Sequence, residues 1–541
     1  MMPSESFESS SAPGNTSRLC LYEDADLLVV NKPAGMNTHS PAPYAGEGIY
    51  DWLRHREPRW ADLAIIHRLD KETSGVLVFG KTPAANRSLT DQFTQRTIRK
   101  TYVLLTDRSA PSGPLQSVST IARAGETYVS RPLTGNAPAA ETHFRPRGTD
   151  LGFFCIEATP LTGRTHQIRV HAAEAGFPVL GDTLYGGTAW TKVCLHAEAL
   201  VLRHPTLGRV MTFSAPVDFG RDPRLALREA IIDAAETNAF RLVHGSADGY
   251  PGWQVDRLDQ FLLSQWETEL SPSQRAWLEG AMGRGGAYHK LLQRRVRQTS
   301  ITDVSPRHVG GQNAPPRFVV RENQLVFELS LQEGYSTGLF LDQRENRRRI
   351  LKNHVAGGFP LFPTGGSSPA LLNAFAYTCG FSVCAAAAGA RTTSLDLSAK
   401  YLEWGKRNFA LNGLAPEQHE FLHGDVFDWL RRLAKKQRTF DVVLLDPPTF
   451  SQSKQSGIFR AERDYGSLAG SALKVLRPQG VLFASTNAAS LAPERFVAEL
   501  ETAVEKAGRR ILQRHFVPQP PDFPISRAEP GYLKTIWLRI S

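Results

Sequence analysis

LLNAFAYTCGFSVCAAAAGARTTSLDLS, residues 371–398, decides the fold of the second half of this chain. An apolar run (ALLNAFA) breaks into a turn at Tyr377–Gly380, and a helix-forming apolar run (FSVCAAAAGA) follows. A second strand, TTSLDL, carries Asp396 at its end. The alternation continues with a helix (KYLEWGKRNFALNG), a strand (FDVVLLD), a helix near 466–477 and a strand (VLFAST). Strands alternating with helices predict an α/β, Rossmann-like doubly wound sheet over 332–541. In such a sheet the first strand-to-helix turn brings backbone close to a bound nucleoside, and an acid at the next strand end reaches its ribose. Asp396 has that position. There is no GxGxxG, so a nucleotide-dependent oxidoreductase fails for want of a phosphate turn. A plain α/β core without a ligand is left open by this stretch alone.

Working outward, Asp425 in HGD (423–425) is another strand-end acid, suited to an adenine amino group. In DPPTFSQSK (446–454), Pro447 and Pro448 after the strand-end Asp446 form a stiff ledge, and Phe450 is placed to stack on an extruded base. FLDQRENRRRILKN (340–353) reads as a helix with a basic face. Its Arg344, Arg347, Arg348 and Arg349, with Arg431, Arg432, Lys435 and Lys436, are candidate phosphate contacts or else a solvated charged face. The Gly/Pro/Ser-rich insert 357–369 reads as a mobile loop, and 300–317 as loop.

The whole chain has 541 residues, with 63 Lys plus Arg against 53 Asp plus Glu, a net charge of +10. That surplus suits a polyanion partner. The five cysteines (Cys20, Cys155, Cys194, Cys379, Cys384) form no CxxC pair, so no metal site and no disulfide framework is expected, and a reducing cytoplasm is. No apolar run spans a bilayer. Residues 1–18 read as a disordered tail, 19–220 as an α+β catalytic domain of short strands, 221–238 as a connector and 239–331 as a small strand-rich α+β domain. The chain is therefore read as multidomain.

In the first domain HRLDKETSG (67–75) sets Asp70 between two apolar strands. A carboxylate there is either a nucleophile on a rigid edge or a surface ion-pair member. GRTHQIRVH (163–171), KTY (100–102), NKPAGMNTHS (31–40) and VLGDTLYGG (179–187) accompany it. Together these strings resemble the RluA-type pseudouridine synthases over about 19–218. The resemblance implies isomerisation of a uridine in RNA with no cofactor, with Asp70 as catalytic carboxylate. Arg169, and Arg164 second, would be the guanidinium holding its pKa low. Tyr102 would lie against the base, and Arg68 would fill the gap left by the flipped nucleotide. His166, His171 and His196 are read as structural hydrogen-bonders.

From about 239 to 541, RLVHGSADGYPGWQVDR (241–257), GYSTGLFLDQRENRR (334–348) and the motifs above resemble class I methyltransferases of the large-subunit ribosomal RNA type. The resemblance implies S-adenosylmethionine as cofactor and structured, ribosomal RNA as partner. It assigns cofactor contacts to Phe340, Asp342, Gln343, Arg344, Asn373, Ala376, Tyr377, Asp396, Ser398, Asp425 and Asp446, and base contacts to Pro447, Pro448 and Phe450. Two departures matter. Cys379 stands where the family turn has glycine, which bears on cofactor binding if that residue has positive φ. LFASTNAAS (482–490) lacks the cysteine that carbon-5 methylation of cytosine needs, so a guanine ring nitrogen is the favoured target. The alternative is a catalytically silent, RNA-binding second half.

Overall fold

A computed structural model describes residues 19–133, 138–292, 305–333, 336–362, 368–453 and 457–541. The tail expected over 1–18 and part of the 357–369 insert lie outside them. The chain divides into two compact units. One is Met1–His39, Gly48–Tyr50 and Asp62–Asp233; the other is Ser40–Glu47, Asp51–Ala61 and Ala234–Ser541. The second unit thus includes two segments, 40–47 and 51–61, that the sequence reading placed in the first domain.

The first unit is built on an 11-stranded sheet. Its central strands are β1 (Leu27–Lys32), β2 (Ser74–Gly80), β3 (Arg99–Thr106), β4 (Phe153–Pro160) and, after helix α1 (Gln167–Glu174), β5 (Leu195–Arg203). Their order is β1-β2-β5-β3-β4. β1 and β2 are almost wholly buried Val, Leu and Phe, the composition of a strand covered on both faces. β2 runs parallel to β5, with Gly75 opposite Ala197. Gly75 has φ +116°, and a Cβ there would stand 2.2 Å from the Ala197 carbonyl oxygen. Only glycine fits, so the end of HRLDKETSG is fixed by a close strand crossing.

In the second unit a five-stranded sheet spans Ala239–His244 to Arg307–Gly311. Its last strand falls where the sequence suggested loop. RHVGG has two glycines and little burial, so its pairing with Gly286–Leu291, not its own pattern, makes it a strand. Helix α2 (Arg344–Leu351) follows a 3-10 turn at Leu341–Gln343. Its arginines are not a solvated or phosphate-binding face, which corrects the sequence expectation: all four are buried. Arg344 pairs with Asp522 and Arg347 with Glu322, Arg348 with Glu57 and Glu236, and Arg349 with Glu47. In the insert read as mobile, Phe359, Leu361 and Phe362 are buried in the core.

The main sheet of this unit has seven strands: β6 (Ala370–Ala374), then after helix α3 (Gly380–Ala387), β7 (Arg391–Asp396), β8 (Glu420–His423), β9 (Phe440–Leu445), β10 (Leu476–Thr486), β11 (Ile511–Val517) and β12 (Lys534–Ile540). Their order is β8-β7-β6-β9-β10-β12-β11. The first five are parallel, while β12 is antiparallel to both its neighbours. Period-2 alternation splits the apolar side chains between two cores. Leu371, Val442, Leu444 and Phe483 go to one, and Leu372, Val443, Leu445 and Leu482 to the other. A parallel sheet packed on both faces leaves its carboxyl edge as the open crevice. Among the described residues no helix is long and apolar enough to cross a membrane.

Candidate active sites

In the first unit Asp70 sits on the loop entering β2. Thr38 fixes the preceding residue, donating to the Leu69 carbonyl (2.8 Å) and accepting its N–H (3.1 Å). Lys32 is fully buried, and its Nζ donates to the carbonyls of Met36 (2.7 Å), Pro33 (3.0 Å) and Lys71 (3.4 Å). Burial lowers the Lys32 ammonium to about 7, against the raising pull of Glu72 and Asp70. The NKPAGMNTHS string is thus a cradle under the HRLD loop. His67 is a neutral acceptor for the Val78 N–H (3.1 Å), lowered by burial to about 3.

Arg169 comes up from α1 to Asp70, with Nη1 4.0 Å from Oδ2. Its main bonds go elsewhere: Nε and Nη2 hold both oxygens of buried Asp182 at 2.6 and 2.7 Å. Nη1 also lies 3.5 Å from Glu72. Asp182 therefore orients the guanidinium, and Asp70 receives part of its field. The sequence expectation of a lowered Asp70 pKa is overturned. Burial raises the carboxyl above its ordinary value, against the lowering effect of His166, Arg169 and Lys32 and with the help of Glu72. Tyr102, on β3, has its phenol pushed well up by burial and then by the Asp70 charge. Arg68 and Arg164 are exposed at the surface of their loops.

His171 and His196 are hydrogen-bonders inside the fold, the first between Ser119 and Thr142, the second between Ser74 and the Ala215 carbonyl. His166 differs. It adopts a left-handed φ of 56°, its Nδ1 is 2.7 Å from the Tyr185 hydroxyl, and the Tyr185 ring lies under Arg169 at 5.1 Å. Asp182, Tyr185 and Lys32 carry no role in the sequence reading. All three lie in strings it quotes, and only folding shows which way they reach.

In the second unit a cavity of about 610 Å³ opens at the carboxyl edge of the parallel strands. Phe340, Asp342, Gln343, Ala376, Tyr377, Asp396, Asp425, Asp446, Pro447 and Pro448 line it, with Tyr401, Phe427 and Phe459, which the sequence reading did not name. Asp396 accepts the Tyr377 N–H and the Ser398 N–H, both at 2.8 Å; burial raises its carboxyl against these bonds. Asp425 caps the helix Val426–Lys435 by accepting the Asp428 N–H (3.1 Å). Asp446 accepts from Gln343 Nε2 at 3.3 Å, and Gln343 is itself held by Ser485 (2.8 Å). Burial, with the charge of Asp342 added, raises the Asp446 carboxyl to about 6. Asp342 accepts from the Tyr532 hydroxyl at 2.8 Å.

Four assigned residues are not among those lining the cavity. Arg344 is locked to Asp522 at 2.7 and 2.9 Å. Asn373 bonds Ser382 beneath the turn (2.9 Å), and Ser398 caps the next helix at Tyr401 (3.3 Å). Phe450 is 37% exposed on a two-stranded ribbon, Phe450–Ser453 with Gly457–Arg460, and Arg460 stacks on it at 5.6 Å. That ribbon still contributes Ser451, Ile458 and Phe459 to the cavity wall. The turn holds three left-handed residues, Phe375, Tyr377 and Cys379, at φ 72°, 49° and 64°. Cys379 thus does occupy the conformation that favours glycine, fully buried, its thiol raised to about 12.

Comparison with known proteins assigns both halves. Residues 26–174 match the RNA pseudouridylate synthase family, and residues 272–539 match the S-adenosylmethionine-dependent methyltransferase family. A ribosomal RNA large subunit methyltransferase of Deinococcus radiodurans is 33% identical over 338 residues, 61% of this chain and 79% of the relative. A ribosomal large subunit pseudouridine synthase C of Yersinia pestis is 36% identical over 213 residues, 37% of this chain and 65% of the relative. A methyltransferase solved in complex with SAH is 26% identical with a TM-score of 0.50, covering 63% of this chain and 86% of the other. The chain therefore belongs to the S-adenosylmethionine-dependent methyltransferases that include the ribosomal RNA large subunit enzymes, and its residues 26–174 match the RNA pseudouridylate synthase family.

Proposed function

We propose that this chain modifies structured, ribosomal RNA at two separate sites, isomerising a uridine at Asp70 and methylating a guanine ring nitrogen in the cavity of the second unit. The observation that carries the reading is a complete set of groups in each unit. In the first, the partly exposed Asp70 carboxylate faces a guanidinium that Asp182 pre-orients. Such a carboxylate would be the nucleophile that detaches uracil and lets it rejoin through carbon, with Tyr102, whose phenol feels the Asp70 charge, against the base. In the second, Asp396 suits a ribose and Asp425 an adenine amino group, which leaves the Asp446-Pro447-Pro448 ledge for the target base. S-adenosylmethionine, when bound, supplies an electrophilic methyl group.

The ring-nitrogen reading rests on the thiols. Among the described residues no cysteine lines the cavity. Cys379 and Cys384 are buried, and burial raises both thiols far from the reactive thiolate form. A guanine ring nitrogen with a free lone pair needs no enzyme nucleophile. Nucleoside mass spectrometry of ribosomal RNA from cells with and without the gene tests the proposal. Loss of one pseudouridine and one methylguanosine is expected; unchanged levels of both contradict it, and loss of a methylcytosine overturns the nitrogen target.

A further inference from the structure

Outside both sites, Glu47, His55 and His515 converge within the second unit. Each offers one ligand atom, and the three atoms lie within 4.8 Å of one another. His55 Nδ1 is 2.6 Å from Glu47 Oε1, and the two imidazoles pack edge to face at 4.2 Å between centroids. His515 Nε2 is buried without a hydrogen-bond partner. A buried polar nitrogen left unpaired is costly and calls for an explanation. Beside the three lies a cavity of about 330 Å³, which they line with Tyr44, Asp51 and Arg514.

We infer that Glu47, His55 and His515 form a site for a divalent transition-metal ion of the zinc class. Two imidazoles and one carboxylate are a donor set zinc uses with a further position open, and the adjoining cavity supplies room for a water there. Magnesium and calcium, which want oxygen donors in larger number, do not suit it. The ion would replace the His55–Glu47 hydrogen bond, with Nδ1 of His55 ligating and the imidazole proton on Nε2. Its competitor is Arg349, whose Nη2 stands 3.4 Å from Glu47 Oε1, a long ion pair that a metal–carboxylate bond displaces. The ion would tie the two sides of the helix Ile49–Arg56 to β11, where Tyr44 already packs on Phe516 at 4.7 Å.

The full-length protein, stripped with a chelator, is titrated with Zn²⁺ alone and with Co²⁺ alone. About one ion per chain is expected, with a Co²⁺ spectrum of nitrogen and oxygen ligation and a higher unfolding midpoint in Zn²⁺. Glu47→Gln and His515→Ala should each weaken binding about tenfold or more, while S-adenosylmethionine binding stays unchanged as the measure of an intact fold. No saturable binding, equal affinity in Glu47→Gln, or a thiolate charge-transfer band in the Co²⁺ spectrum would overturn the site.

Discussion

Cys379, buried in the turn beside the cavity, and Asp446, on its wall, show what single residues contribute to the second unit. Cys379 holds a left-handed backbone that costs a non-glycine residue roughly 1–2 kcal/mol. Its sulfur sits where a side chain at Gly405 would begin, since a Cβ on Gly405 would lie 2.3 Å from Sγ. The two positions therefore exchange bulk. Gly405→Ala should cost about 1–3 kcal/mol in chemical denaturation and weaken S-adenosylmethionine binding by calorimetry. Adding Cys379→Gly should recover most of both losses, whereas additive effects would contradict the coupling. Calorimetry on the unaltered protein bears on a silent second half, since undetectable cofactor binding to folded protein would favour it. Asp446 gives a pH signature. Its carboxyl is raised to about 6 in the folded state, so the native state keeps a proton that the unfolded chain has lost. That contribution is present below about pH 4 and disappears as pH rises through about 6, with a ceiling of about 3 kcal/mol at 1.36 kcal/mol per pH unit. In the cofactor-free protein Asp446→Asn should flatten the loss of urea stability between pH 5 and 7.5. An unchanged slope would show that Asp446 titrates in its ordinary range.

At the level of elements, α2 is where sequence and structure part furthest. The run RENRRR looks like a cationic surface, and on a surface it would bind phosphate. Asp522, Glu322, Glu236, Glu57 and Glu47 neutralise it instead, and no local pattern reveals acids so distant along the chain. Removing one partner of such a buried pair leaves the other uncompensated. Arg344→Met should therefore destabilise the second unit by about 3–5 kcal/mol in urea unfolding, and a change under about 1 kcal/mol would contradict a structural role. Legibility follows range. The doubly wound order was readable because each strand and helix announces itself within a dozen residues. The grouping of 40–47 and 51–61 with the second unit, the Asp182 clamp on Arg169 and the Glu47–His55–His515 cluster were not. They depend on residues brought together from far apart. The string HRLDKETSG singles out Asp70 as the candidate carboxylate, but its raised pKa is not legible there, because burial is a property of the fold.

Across the whole molecule, the two sites lie in separately packed units, each with its own sheet and cores. The net charge of +10 favours a phosphate-rich partner. Arg431, Arg432, Lys435 and Lys436 are exposed, unlike the arginines of α2, although Arg431 and Arg432 share Asp428 as an ion-pair partner. RNA affinity should fall steeply between 50 and 200 mM salt, by about tenfold or more, and a flat response would remove the electrostatic account. The claim on which the rest depends is two independent centres in one chain. Asp70→Ala and Asp446→Ala proteins, each shown to be folded, should be incubated with RNA lacking both modifications, and the products counted by nucleoside mass spectrometry. Two independent centres predict that Asp70→Ala abolishes pseudouridine and keeps methylation, while Asp446→Ala does the reverse. Loss of both products from either single change would contradict it.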